Sequence, residues 1–307
     1  MKPKQKTEPA AVLPPEDNTH IGKVIAPPPK PTGALKIVFI TVSVLFVVLM
    51  LVLPLVSVLA GALREGLAFY FEALTARYTR SALRVTLIAA VCAVAVNTVF
   101  GLMAAWLLTR FDFRGKHLLG TLIDIPFSIS PVIAGLAFLM TFGRLGWAKP
   151  ALDWLSGLLG TRVALVFSVP GVVLATIFVT FPFVSRELIP VLNTRGRDEE
   201  EAAALMGAKG FTIFRRITLP HIRWALVYGV ILCTARALGE FGAVYALSKT
   251  RGKTFTLPLE IDALYLSGSA DGITQAFAVS SLLVLMALVV LIVKNIAEYC
   301  GRTRDGR

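Results

Sequence analysis

The chain has 307 residues, 56% hydrophobic and only 16% charged, against about 25% charged in a soluble domain. With a mean hydropathy of +0.73 and long uncharged runs, this composition excludes a soluble enzyme and a disordered tail protein. The net charge of +12 does not point to nucleic acid, because basic residues of membrane proteins gather in cytoplasmic loops facing the anionic leaflet.

Residues 1–35 carry Lys2, Lys4, Lys6, a Pro14-Pro15 pair and Pro27-Pro28-Pro29. Such a segment buries little apolar surface and is expected to be a solvated cytoplasmic arm. The apolar run that follows is longer than the core of a signal peptide, about 7–15 residues, and reads as an uncleaved first span. At about 20 apolar residues per crossing, six spans are expected: 36–61, 83–109, 118–142, 163–185, 222–247 and 274–295. The fold class is therefore an all-α membrane protein, with a transmembrane domain over 36–298 and a basic tail over 299–307. Pro126, Pro131, Pro170 and Pro182 predict kinks in the third and fourth spans. With both termini inside, the inner segments hold 19 basic residues and the outer loops 10, or 13 against 10 without the arm. That bias favours cytoplasmic termini.

Cys92 and Cys233 fall in spans and Cys300 near the C-terminus, so no disulfide framework is visible. His20, His117 and His221 are scattered, without the spacing of a metal site. Gly252-Lys-Thr254 matches half of a phosphate-binding loop, but the required first glycine would be Leu247. It reads as a turn, and any ATP and Mg would have to be bound by a partner.

The 193–220 segment is the most informative. Asp198 followed by Glu201 has the spacing of a capping box, and acids crowd the first turn of a short helix. Gly207 or Gly210 can end that helix in the left-handed region. A second short helix follows, and Pro220 suits the first turn of the fifth span. Periodicity alone leaves open an amphipathic connector lying on the bilayer. The pattern Glu201-Ala202-Ala203, Gly207, then Ile217-x-Leu-Pro220 resembles the EAA loop of binding-protein-dependent ABC importers. The resemblance implies a coupling helix that docks in a groove of a separate ATPase, with Glu201, Ala202, Ala203, Gly207 and Pro220 at its positions.

Further segments narrow the resemblance. Thr109–Gly115, Asp124–Gly135 and Thr176–Pro190 are similar to sulfate and molybdate permeases. Arg236–Tyr245 and Arg251–Leu259 are similar to the W-type subunit of sulfate/thiosulfate importers. The resemblance covers about residues 35 to 298 and implies a type I ABC importer permease of the inner membrane. It also implies partners: a homologous T-type permease, a dimer of ATP-binding subunits, a periplasmic or extracellular sulfate-binding protein, and membrane lipid. A homodimeric molybdate or tungstate permease is the alternative. An intramembrane enzyme lacks a nucleophile–base or metal constellation here, and a scaffold protein would not need a coupling loop.

Polar residues within spans are costly and mark structure or path. Arg236 and Glu240, four apart, share a helix face. Three roles fit them: an ion pair at a subunit interface, a gate element, or direct contact with an anion. Asp124 is either a partly solvated structural acid or part of the path. Ser128 and Ser130 flank a proline-interrupted stretch, where they either bond back to the preceding turn or line a path for an oxyanion.

Overall fold

The computed structural model describes residues 33–161 and 164–305, all secondary structure among them being helical. Most of the expected arm, up to position 32, lies outside these residues, as does the expected start of the fourth span at 163. The chain divides into two compact units, Met1–Leu51 and Val52–Arg307. In the first, helix α1 (Gly33–Val47) is apolar, and its described side chains are exposed all round. Beyond Lys36 the helix carries no charge, and an apolar surface of that kind suits lipid surroundings.

The second unit begins with α2 (Leu53–Ala62) and α3 (Gly66–Thr75), followed by the 34-residue α4 (Arg77–Arg110). Next come α5 (Lys116–Ser128), α6 (Pro131–Phe142) and α7 (Lys149–Leu159). Then follow α8 (Val169–Thr180), α9 (Pro182–Thr194), α10 (Asp198–Leu205) and α11 (Gly210–Ile213). The unit closes with α12 (Leu219–Leu238), α13 (Gly242–Leu247), α14 (Leu257–Tyr265) and α15 (Ala270–Asp305). Among the described residues, five helical stretches are long and apolar enough to cross a membrane, and α5 with α6, bent by 107°, makes a sixth when counted as one span.

Helix α4 is the central post. Its buried positions include Ala82, Ala89, Ala93, Asn97, Gly101 and Ala105, a stripe of small residues that lets neighbouring backbones approach. Val184 of α9 occupies the resulting groove, with Gly101 on one side and Gly229 of α12 on the other. A Cβ at Gly101 would lie 2.9 Å from the Val184 Cβ.

The fourth span differs from the expected 163–185. It starts at Val169, capped by Ser168, and continues past Pro182 to Thr194, a stretch of 26 residues. Phe181 keeps right-handed helical angles, φ −55 and ψ −45, so Pro182 interrupts one hydrogen bond without ending the helix. Phe181 N–H turns to the Phe178 carbonyl that Pro182 leaves open (3.4 Å), which frees the Ile177 carbonyl for Asn97 of α4. Its Nδ2 donates to the Ile177 carbonyl at 3.1 Å and to Thr180 Oγ1 at 2.8 Å. The fifth span is displaced from the expected 222–247, ending at Leu238 because the chain turns at Gly239–Phe241 before α13. Helix α15 continues to Asp305, past the expected domain end at 298.

Candidate functional site: a helical knob and two interrupted spans

Between α9 and α12 the chain forms a small helical knob. Arg197 takes the N-cap place and Asp198 is the first helical residue, with no side-chain cap bond. The expected capping box is therefore not formed. The neighbouring acids are drawn elsewhere: Glu200 receives Arg110 Nε (2.9 Å to Oε2) and Thr218 Oγ1 (2.9 Å to Oε1). Glu199 lies 3.4 Å from His221 Nε2. Arg110 also donates to the Leu192 carbonyl at 3.0 Å, and Arg197 to the Thr109 carbonyl at 2.7 Å. The knob is thus tied to the end of α4, the end of α9 and the segment before α12. Charge-assisted bonds of this kind contribute about 1.5–3 kcal/mol each where they are shielded from water.

Ala203 is buried on the same side as Glu200, one turn on, whereas Glu201 and Ala202 are exposed. The helix ends in a Schellman turn: Ala208 N donates to Ala203 O at 3.0 Å and Gly207 N to Ala204 O at 2.9 Å. Gly207 has φ +84, and a Cβ there would meet nothing within 4 Å. Its requirement within this chain is therefore backbone conformation, which disfavours a side chain by about 1–2 kcal/mol, and not close approach. Leu205, Met206 and Phe211 are 89%, 82% and 74% exposed. An anchored base and an apolar tip beside an exposed carboxylate, Glu201, form a surface that can enter a partner's groove.

The second short helix is not separate. From Gly210 the chain runs helically to Leu238, 29 residues, through a π-helical turn at Phe214–Thr218. Pro220 follows within the first turn of α12. Having no N–H, it leaves the Arg216 carbonyl without its usual donor, and a π turn accommodates that vacancy. Phe214 packs on Trp106 of α4, ring centroids 5.2 Å apart.

The polar residues of the spans gather at two interruptions. Pro126 stays inside α5 and Pro131 opens α6, so the break falls at Ile129–Ser130. Ser128 and Ser130 are exposed there, and neither hydroxyl bonds back to the preceding turn. Asp124 pairs with Arg186 (Nε–Oδ1 2.8 Å), whose guanidinium lies 4.4 Å from the centre of the Phe127 ring. Arg186 belongs to α9, although the sequence reading placed it in the following loop.

Arg236 and Glu240 are also displaced from expectation. Arg236 sits in the last turn of α12, not mid-span, and Glu240 in the turn beyond it. Their charges meet at 2.6 Å, Nη1 to Oε2. Glu240 is buried, and its Oε1 accepts from Ala243 N at 2.9 Å, holding the start of α13. Arg236 remains about one third exposed. The pair thus neutralises itself and closes the end of α12. The two interruptions abut, since a Cβ at Gly242 would lie 2.9 Å from Pro131 Cβ, and Gly135 packs directly on Ala243. Gly252-Lys253-Thr254 forms a turn against α4. Ser81 Oγ donates to the Gly252 carbonyl at 2.6 Å, and the Thr254 hydroxyl accepts from Ser248.

Sequence reasoning singled out Glu201 but missed Glu200, Arg110 and Thr218, which hold the knob. The available signal was the i, i+3 relation of Glu200 to Ala203, the small residue on the same face.

Comparison with known proteins agrees with this architecture. Residues 97–303 match the family described as binding-protein-dependent transport system inner membrane component. The chain is 43% identical over 268 residues to a sulfate transport system permease protein CysW of Synechocystis, covering 87% of this chain and 94% of that one. It is 44% identical over 269 residues to CysW of Escherichia coli K12, covering 87% and 89%. A bacterial ABC transporter structure involved in alginate import aligns with a TM-score of 0.72 at 18% identity, covering 88% of this chain and 96% of that one, a likeness of fold. The chain belongs to the family of binding-protein-dependent transport system inner membrane components.

Proposed function

We propose that the chain is the permease subunit of an ATP-driven sulfate/thiosulfate importer of the inner membrane, forming half of the translocation path. The observation that carries this is the knob of α10, fixed at its base by Glu200 and presenting Leu205, Met206 and Phe211 outward. A separate ATPase pair, which binds ATP and Mg, would receive that tip. A homologous T-type permease completes the path, and a soluble sulfate-binding protein delivers the anion. Both termini and the knob face the cytoplasm, in keeping with the bias of basic residues. The similarity to sulfate transport system permeases supports sulfate over the molybdate alternative.

The energetics fit a driven importer. Entry of a divalent anion into a negative-inside cell opposes about 2.3 kcal/mol per charge per 100 mV, roughly 4.6 kcal/mol for sulfate. A permanently open pore would leak it outward. In this reading Arg236–Glu240 stabilises the wall of the path, and Ser128 and Ser130 present hydroxyls at the α5–α6 break. Replacing both serines by Ala is expected to slow uptake or alter selectivity.

The test is uptake of labelled sulfate, with molybdate as the control, in a strain carrying only the Leu205→Asp/Met206→Asp variant. These exposed sites leave the fold intact, so sulfate uptake should vanish while the permease stays in the membrane without its ATPase. Undiminished sulfate uptake overturns the coupling role, and loss of molybdate uptake alone overturns the substrate.

A further inference from the structure

Helix α7 connects two embedded elements, α6 and α8, at the end of the α8–α9 span away from the knob. Its 11 residues reach about 16 Å at 1.5 Å per residue, half of the hydrocarbon layer of about 30 Å, so it cannot cross. Its surface divides into three sectors. Leu152, Leu155 and Ser156 are half-buried against the protein. Lys149 and Asp153, paired at 2.7 Å, form a polar strip. Pro150, Ala151, Trp154 and Leu158 form an exposed sector without a charge.

Trp154 and Leu158 are 71% and 69% exposed, and Trp147, in the turn entering α7, is 82% exposed beside a fully exposed Leu145. This patch does not stand alone. Ile133, Leu136 and Met140, exposed along one stripe of α6, run toward it from membrane depth. A continuous apolar surface that runs from α6 onto α7 is one that lipid covers without a break. Indole rings, apolar in body with one N–H donor, concentrate at the membrane–water boundary. Arg144, exposed and without a partner among the described residues, stands at the same end where phosphate groups lie.

We propose that α7 lies flat in the membrane interface opposite the coupling helix, with Trp147, Trp154 and Leu158 set between the headgroups and acyl chains. It would thereby fix the depth of the α6–α8 connection in the bilayer.

The full chain, with the subunits that co-purify, is reconstituted in phosphatidylcholine vesicles brominated either near the headgroup end or near the tail end of the acyl chain. Shallow bromine is expected to quench tryptophan emission more than deep bromine. The Trp147→Phe/Trp154→Phe variant should lose a measurable part of the shallow-quenched emission, since it removes the chain's two exposed indole rings, whereas Trp106 and Trp224 are half-buried. Leu158→Trp, made without removing any native ring, should add shallow-quenched emission. The proposal is overturned if the emission removed by the double variant is quenched by aqueous iodide and by neither lipid. It is equally overturned if iodide loses access only when a soluble periplasmic fraction is added, which would make the face a protein dock.

Discussion

Glu200 and Glu201 are adjacent acids with opposite tasks. Glu200 joins Arg110 and Thr218, whereas Glu201 is exposed. Glu200→Ala should therefore loosen the knob itself, by about 1.5–3 kcal/mol of local stability, and raise hydrogen exchange over 198–209 in the isolated chain. Glu201→Ala should leave that exchange unchanged, within about 0.5 kcal/mol, and act only on transport. If both variants exchange alike, the assignment of anchor and tip is wrong. Gly207→Val, at φ +84, should cost about 1–2 kcal/mol, with Gly207→Asn milder because Asn tolerates the left-handed region. Thermal scans of the purified chain give the ranking. The resemblance made Glu201 and Gly207 legible in the sequence. Glu200 was not, because a run of four acids does not say which one a distant arginine will reach.

Long helices were the most legible elements, since runs such as those in α4 and α15 are continuous and need no partner to be recognised. Their ends were not. Pro182 reads as a kink near the end of a span at 185, yet the helix runs on to Thr194, with Phe181 N–H bonding the Phe178 carbonyl and Asn97 taking the freed Ile177 carbonyl. Conversely, the apolar run to Leu247 reads as one span, yet it is broken by Glu240, whose carboxylate starts α13 instead. Both outcomes depend on side chains far away or in the next element. The contact of α6 with α13 gives a prediction at this scale. A Cβ at Gly135 would run into the Ala243 carbonyl, so Gly135→Ala should force the two broken helices apart at about 1–3 kcal/mol. Lower melting temperature and slower uptake are expected together, whereas Gly120→Ala, in open space, serves as the neutral control.

Over the whole molecule, the knob and the Arg236–Glu240 closure occupy the two ends of one continuous helix, Gly210–Leu238. At 1.5 Å per residue it is about 43 Å long, and it has no loop in which a displacement could be lost. The sequence suggested a short helix, a stop and a new span at Pro220. The continuity was hidden because a proline ordinarily ends such a pattern, and only the π turn at Phe214–Thr218 carries the helix through it. That turn has a further consequence. Its surplus residue carries the helix past Pro220 without a bend, much as a keyway holds a cam true on its shaft. Removing Arg216, which is exposed, takes away the turn that accommodates Pro220, so the helix should kink at the proline and the knob should lose its register with Arg110. The protein should still insert and accumulate normally in the membrane, yet import nothing: an engine in full order, timed wrongly by one tooth.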